Sequence, residues 1–252
     1  MRNLTQDNIT QAVIARLAGT PEPRLRELMT SLVQHLHAFA RDVKLTEGEW
    51  SQGIRFLTEV GRKTDDQRQE FVLLSDTLGL SMLTVAMNND KPAGCTEATV
   101  AGTVPGEGAA CVVRGRVLAL GGEPVAAATI EVWPAGGPER SWVCSGPDGR
   151  FEFRTLLAES SPIPDDGPVG ELLRATARHP WRPAHLHFMV VADGYERLAT
   201  HLFRSGDQYL DSDAVFAVRE SLVADWSRQA DGSDLLEYDF VLNPMAMAKA
   251  GL

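Results

Sequence analysis

At 252 residues, with 44% hydrophobic and 23% charged side chains, the chain has the make-up of a globular protein of one or two domains. A net charge of −10 and a pI of about 5.1 argue against a nucleic-acid-binding surface and a polybasic membrane anchor. No apolar run approaches the ~20 residues of a membrane span, and the polar start from Met1 to Asp7 has no signal-peptide core. Cys95, Cys111 and Cys144 are odd in number and widely spaced, so the expectation is reduced thiols in a cytoplasmic protein.

The first ninety residues read as helices. Ile9, Val13, Ile14 and Leu17 follow a helical period, which Pro21 and Pro23 break. A second helix is expected from about Arg24 to Asp42, with Leu25, Leu28, Leu32, Leu36 and Phe39 on one stripe. His35 and His37 fall on it without a ligand partner at helical spacing, and read as surface or interface residues. Thr46-x-x-Glu49 fits a capping box ahead of Trp50, Ile54, Phe56 and Leu57, with Gly61 as the stop. Thr64-x-x-Gln67 fits another box, opening a helix to about Asn88 that is apolar on most sides from Phe71 to Met87 and is expected to be buried.

Residues 90–110 are rich in Gly, Pro and Ala and mark a connection. From Cys111 the period changes to two. Gly121-Gly122 suggests a hairpin turn, and Thr129–Trp133 continues the strand pattern. Trp142–Cys144 is expected to pair with Phe151–Phe153 through Gly146-Pro-Asp-Gly149. His185–Val191 reaches a turn at Asp193-Gly194 and returns as Leu198–Phe203, and Tyr238–Leu242 closes the series. Helices first and strands second give an α+β order, with a helical domain at 1–100 and a β-sandwich at 101–252.

Within Arg178–Phe188, His185 and His187 lie two apart in an apolar run, so a strand puts both imidazoles on one face and Leu186 and Phe188 on the other. Neutral imidazole binds iron, zinc and copper. Arg178 and Arg182 add cations beside the pair, and Pro180 and Pro183 stiffen the approach.

This block, with its surroundings, resembles the intradiol ring-cleavage dioxygenases, and within them the hydroxyquinol 1,2-dioxygenases. The likeness is carried by Phe71–Leu83, Lys91–Gly94 with Thr96-Glu97, Gly115–Val117, Pro124-Val125, Glu131–Trp133 and Asp148–Phe151. It continues through Pro162–Pro164, Asp166–Gly170, Thr200–Phe203 and Tyr209–Phe216, and so covers most of the chain. The resemblance implies a β-sandwich behind N-terminal helices that form a homodimer, with a phospholipid in the interface. It implies a non-haem iron held by two tyrosines and two histidines, and a small polyhydroxylated aromatic substrate such as hydroxyquinol or catechol. His185 and His187 match the histidine ligands, Arg182 matches the arginine beside the reacting ring, and Ser161, Ile163 and Pro164 fall in the substrate-pocket motif.

Three departures converge on that pocket. Ser161 stands where a ligand tyrosine is expected. The loop Pro134–Trp142, where the other belongs, is short and has no tyrosine. Thr99–Gly102 lacks the aromatic wall that follows it in the family. Tyr195, Tyr209 and Tyr238, the chain's three tyrosines, occupy no ligand motif. Without phenolates the readings are a ring-cleaving oxidoreductase, a repurposed enzyme with a divalent metal or none, or a non-catalytic binding homologue. For a divalent ion, Glu159, Asp165 or Asp166 could supply a carboxylate beside the histidines, although the two aspartates also suit a turn before Gly167-Pro168. His179 and His201 read as packing or supporting groups.

Overall fold

In a computed structural model, residues 3–100, 110–134 and 141–245 are described, and the chain divides into two compact units between Glu59 and Val60. The first unit holds α1 (Ile9–Leu17), α2 (Pro23–Asp42) and most of α3 (Glu47–Lys63). Glu22 caps α2, accepting from the amides of Arg24 and Leu25, and Pro23 sits in the first turn where its missing N–H costs nothing. Arg41 ties α2 back to α1, donating to the Gln6 carbonyl at 2.8 Å and to Thr10 Oγ1 at 2.7 Å. His37 Nδ1 lies 3.0 Å from the same hydroxyl. The Thr46–Glu49 capping box forms, with Glu49 accepting from the Thr46 amide at 2.9 Å. The α2 stripe from Leu25 to Phe39 forms as expected, but these side chains stay 47–55% exposed.

The second unit opens with three corrections. Gly61 does not stop α3, which runs on to Lys63; the Thr64 hydroxyl then bonds back to the Val60 carbonyl. No capping box forms at Thr64, because Asp65 takes the amides of Gln67 and Arg68 in a local turn, at 2.8 and 2.7 Å. The expected single buried helix is two, α4 (Glu70–Thr77) and α5 (Leu80–Asn88), bent by 78° at Gly79, whose φ of +74° suits glycine. Met82 turns inward, but Phe71, Val72, Leu78, Leu80, Leu83 and Met87 are exposed, since two short bent helices cannot bury an all-round apolar surface. Among the described residues no single helix is long and apolar enough to cross a membrane.

Two five-stranded sheets follow. In the first, β1 (Ala110–Ala119) pairs in parallel with β11 (Asp234–Glu237) and β12 (Phe240–Leu242) and antiparallel with β4 (Arg150–Leu156). β10 (Trp226–Arg228) lies outside β11. The second runs β3 (Ser141–Cys144), β2 (Thr129–Pro134), β7 (His185–Val191), β8 (Leu198–Arg204) and β9 (Val223–Ala224). A two-stranded ribbon joins β5 (Ser161–Pro162) to β6 (Trp181–Arg182), with α6 (Pro168–Ala175) between them. Phe151, Phe188 and Phe240 meet between the large sheets, Phe188 lying 5.0 Å from Phe240 by ring centroid, so the sandwich has an aromatic centre.

β3 and β4 do not pair with each other as the sequence suggested. Ser145 ends β3 by bonding Ala128 and Val125 beside β2, whereas the Gly149 carbonyl accepts from Val117 and feeds β4 onto β1. The Gly146–Gly149 turn therefore links the two sheets. The closing strand starts at Phe240 rather than Tyr238, and an unexpected strand, β11, precedes it, because the chain kinks at Tyr238 over Gly115. A Cβ on Gly115 would stand 1.7 Å from the Tyr238 carbonyl oxygen, so only glycine permits this approach.

Candidate metal centre

The geometry begins with the period of β7. Leu186, Phe188 and Val190 belong to the core cluster, and the intervening His185 and His187 take the opposite face. The Asp193-Gly194 turn sets the register of β8, pairing His187 with His201, each seven residues from Gly194. Three imidazoles thus gather, with ring centroids 4.2 to 4.9 Å apart and ligand nitrogens within 4.8 Å of one another. His185 and His201 are 0% exposed and His187 1%.

The hydrogen bonds fix part of the protonation pattern. The Pro183 carbonyl can only accept, so His185 Nδ1 donates to it at 2.7 Å and Nε2 keeps the lone pair, facing Arg182 Nη1 at 3.1 Å. His187 Nδ1 lies 2.7 Å from His201 Nε2, and His201 Nδ1 lies 2.6 Å from Thr99 Oγ1. Arg182 is anchored in turn by Asp213, at 3.0 Å through Nε and 3.4 Å through Nη2. Asp213 also accepts from the amides of Val215 and Ala217. Burial first, and Arg182 second, hold His187 down to about 3. His185 and His201 are driven well below the ordinary histidine range by the same burial and by neighbouring positive charge. All three rings are neutral near pH 7, the form in which imidazole binds a metal.

The other sequence candidates divide. Ser161 pairs across the ribbon with Arg182, and its Oγ is buried with no hydrogen-bond partner among the described residues. Ile163 is buried in the core, whereas Pro164 is exposed. The carboxylate candidates do not join the histidines. Asp166 is ion-paired with Lys63 and Arg68, Asp165 lies 3.7 Å from Arg174, and Glu159 is exposed. His179 lies outside the cluster too, its Nε2 2.9 Å from Ser212 Oγ. Tyr209 stacks on Trp181, Tyr238 donates to the Ser221 carbonyl, and Tyr195 bridges to Pro244. The segments 101–109 and 135–140, where the remaining departures fall, lie outside the described residues.

Sequence reasoning named His185, His187 and Arg182 but did not bring His201, Thr99 and Asp213 to them. For His201 a signal was present, since counting outward from Gly194 places it opposite His187. Thr99 and Asp213 arrive through contacts remote in sequence that no local pattern announces.

Residues 22–96 match the pattern of the catechol dioxygenase N terminus, and residues 88–244 match that of the dioxygenase domain. The chain belongs to the intradiol dioxygenase family. Among its relatives, the 6-chlorohydroxyquinol 1,2-dioxygenase of Cupriavidus pinatubonensis is 58% identical over 97% of this chain and 99% of its own length. That alignment spans 274 positions against 252 residues here, so the relative contains segments that this intradiol dioxygenase homologue lacks. The hydroxyquinol 1,2-dioxygenase of Nocardioides simplex is 43% identical over 90% of this chain and 88% of its own. The solved hydroxyquinol 1,2-dioxygenase of Pseudomonas putida DLL-E4 superposes with a TM-score of 0.86 at 41% identity, covering 95% of this chain and 98% of that one.

Proposed function

We propose that this intradiol dioxygenase homologue opens the ring of a small polyhydroxylated aromatic, hydroxyquinol or a close analogue. The bond broken joins two adjacent hydroxylated carbons, and both atoms of one dioxygen molecule enter the dicarboxylic product. The observation that carries the reading is the 58% identity to a 6-chlorohydroxyquinol 1,2-dioxygenase over nearly the whole chain, with Arg182, His185 and His187 together in one buried site.

The buried imidazoles fit a metal ion, which His185 and His187 would hold. When bound, that metal supplies activation of a chelated diphenol toward oxygen. Arg182, steadied by Asp213, supplies positive charge for an anionic substrate oxygen. Ser161, Ile163 and Pro164 are assigned to the substrate pocket. Residues 1–100 serve as the linker and dimerisation region, and residues 101–252 carry the site. The exposed apolar stripe of α2, with Trp50, Ile54 and Leu57 of α3, supports a homodimer with a phospholipid at its interface. The chain works in the cytoplasm.

The test is oxygen uptake by metal-loaded protein given hydroxyquinol, with the aromatic absorbance followed in parallel. One dioxygen consumed per ring opened supports the reading. A folded, metal-loaded protein that consumes none is a binding homologue instead.

A further inference from the structure

We infer that the metal this chain takes is a divalent first-row cation held by neutral donors, with Ser161 as the residue that sets this preference. The inference deepens the reading above and rests on its assignment of His185 and His187 as the metal holders.

Charge decides the preference. Among the described residues, the histidine cluster contains three imidazoles and no cysteine or carboxylate. The nearest cation, Arg182, is already matched by Asp213 in a buried pair. Asp76 also feels Arg182, but burial raises it and it bonds Ser81. Among the described residues, the cluster's own donors therefore offer a metal no anionic charge. Taking an ion out of water costs an energy that grows with the square of its charge, so a trivalent ion suffers more than twice the penalty of a divalent one. Imidazole nitrogen is a good donor to divalent iron, cobalt, nickel, copper and zinc.

Anionic oxygen is what a trivalent ion would need, and position 161 is placed to supply it. Ser161 lies directly across from Arg182, whose Nη1 touches His185 Nε2. Its buried hydroxyl, which has no partner among the described residues, is a neutral and weak donor. Behind the ligands, His201 and Thr99 form a line of hydrogen bonds to His187 Nδ1, so His201 is a positioning residue that fixes the ring of His187. A metal at His185 Nε2 takes the lone pair that now accepts from Arg182, so Nη1 must swing aside as the ion enters.

The experiment uses full-length protein stripped with a chelator, with no ring substrate present, so failure of metal uptake and failure of ring cleavage are separate results. Co(II) is titrated by calorimetry and visible absorption, and Fe(III) is offered as its citrate. The expected result is one Co(II) per chain, bound at least ~100-fold more weakly by His185→Ala, and no broad visible band with Fe(III). Ser161→Tyr then acquires a phenolate-to-iron band with Fe(III). If that variant does not fold, Ser161→Asp replaces it, and the added anion tightens Co(II) at least ~10-fold. The inference is overturned if wild-type protein takes one Fe(III) with a broad visible band. It is also overturned if Co(II) binding ignores His185, or if a folded variant at position 161 leaves metal preference and affinity unchanged.

Discussion

Along α2, every apolar side chain of the stripe from Leu25 to Phe39 is about half exposed, and no residue of the helix is buried. Along β7, the first four residues are almost fully enclosed, and two of them are histidines. Apolar groups left in water are the surface on which the proposed dimer would be built. Polar groups sealed from water must have partners, and Pro183, Arg182, His201 and Thr99 supply them. Changes on the helix should therefore alter association, whereas changes at the strand should alter chemistry and stability together.

The largest effect is expected at the strand. His185→Ala and His187→Ala should each reduce metal content and turnover below detection while circular dichroism still reports folded protein. Turnover that survives both would move the site elsewhere. Arg182→Ala should come next. It leaves Asp213 buried without its cation, a change that costs about 3–5 kcal/mol. Chemical denaturation measures this, and a loss under ~1 kcal/mol would mean that water reaches Asp213. Catalysis is expected to fall further than stability does. His201→Gln or Thr99→Val should lower metal affinity by ~10–100-fold through loss of the ring orientation of His187. Unchanged affinity in both would remove His201 from the positioning role.

Acid sharpens the contrast in the metal-free protein. His187 is held near 3 in the folded state and returns toward 6.5 on unfolding, so between these values the unfolded chain binds more protons. Its contribution to stability is complete above pH 6.5 and is lost as pH falls toward 3. His187→Gln should flatten this part of the stability profile; identical slopes in wild type and variant would assign the acid sensitivity to other groups. The smallest change in fold stability, within ~0.5 kcal/mol, is expected for Leu28→Glu with Leu32→Glu on α2. Light scattering should show a dimer giving way to monomer, and an unchanged mass would exclude this face from the interface.

Much of this contrast is legible in the sequence. The α2 stripe, the Thr46–Glu49 cap, the β7–β8 hairpin and the His185–His187 face are local patterns of period or turn chemistry, and the chain adopts them. What the sequence concealed depends on partners distant along the chain. The destination of β4 is decided by β1, and the kink at Tyr238 needs the bare backbone of Gly115. The burial expected for Phe71–Met87 failed because hydrophobicity indicates what avoids water but not which surface will cover it. At the site, the histidine pair was legible from spacing. Asp213 was not, because its bond to Arg182 spans thirty-one residues.

The most direct test of the account is metal content by elemental analysis, with the visible absorption spectrum recorded on the same purified samples of wild type and His187→Ala. The expected result is about one divalent first-row ion per wild-type chain, no broad visible band, and no bound metal in the variant. One ferric ion per chain with a broad visible band, or equal metal in both proteins, would contradict it.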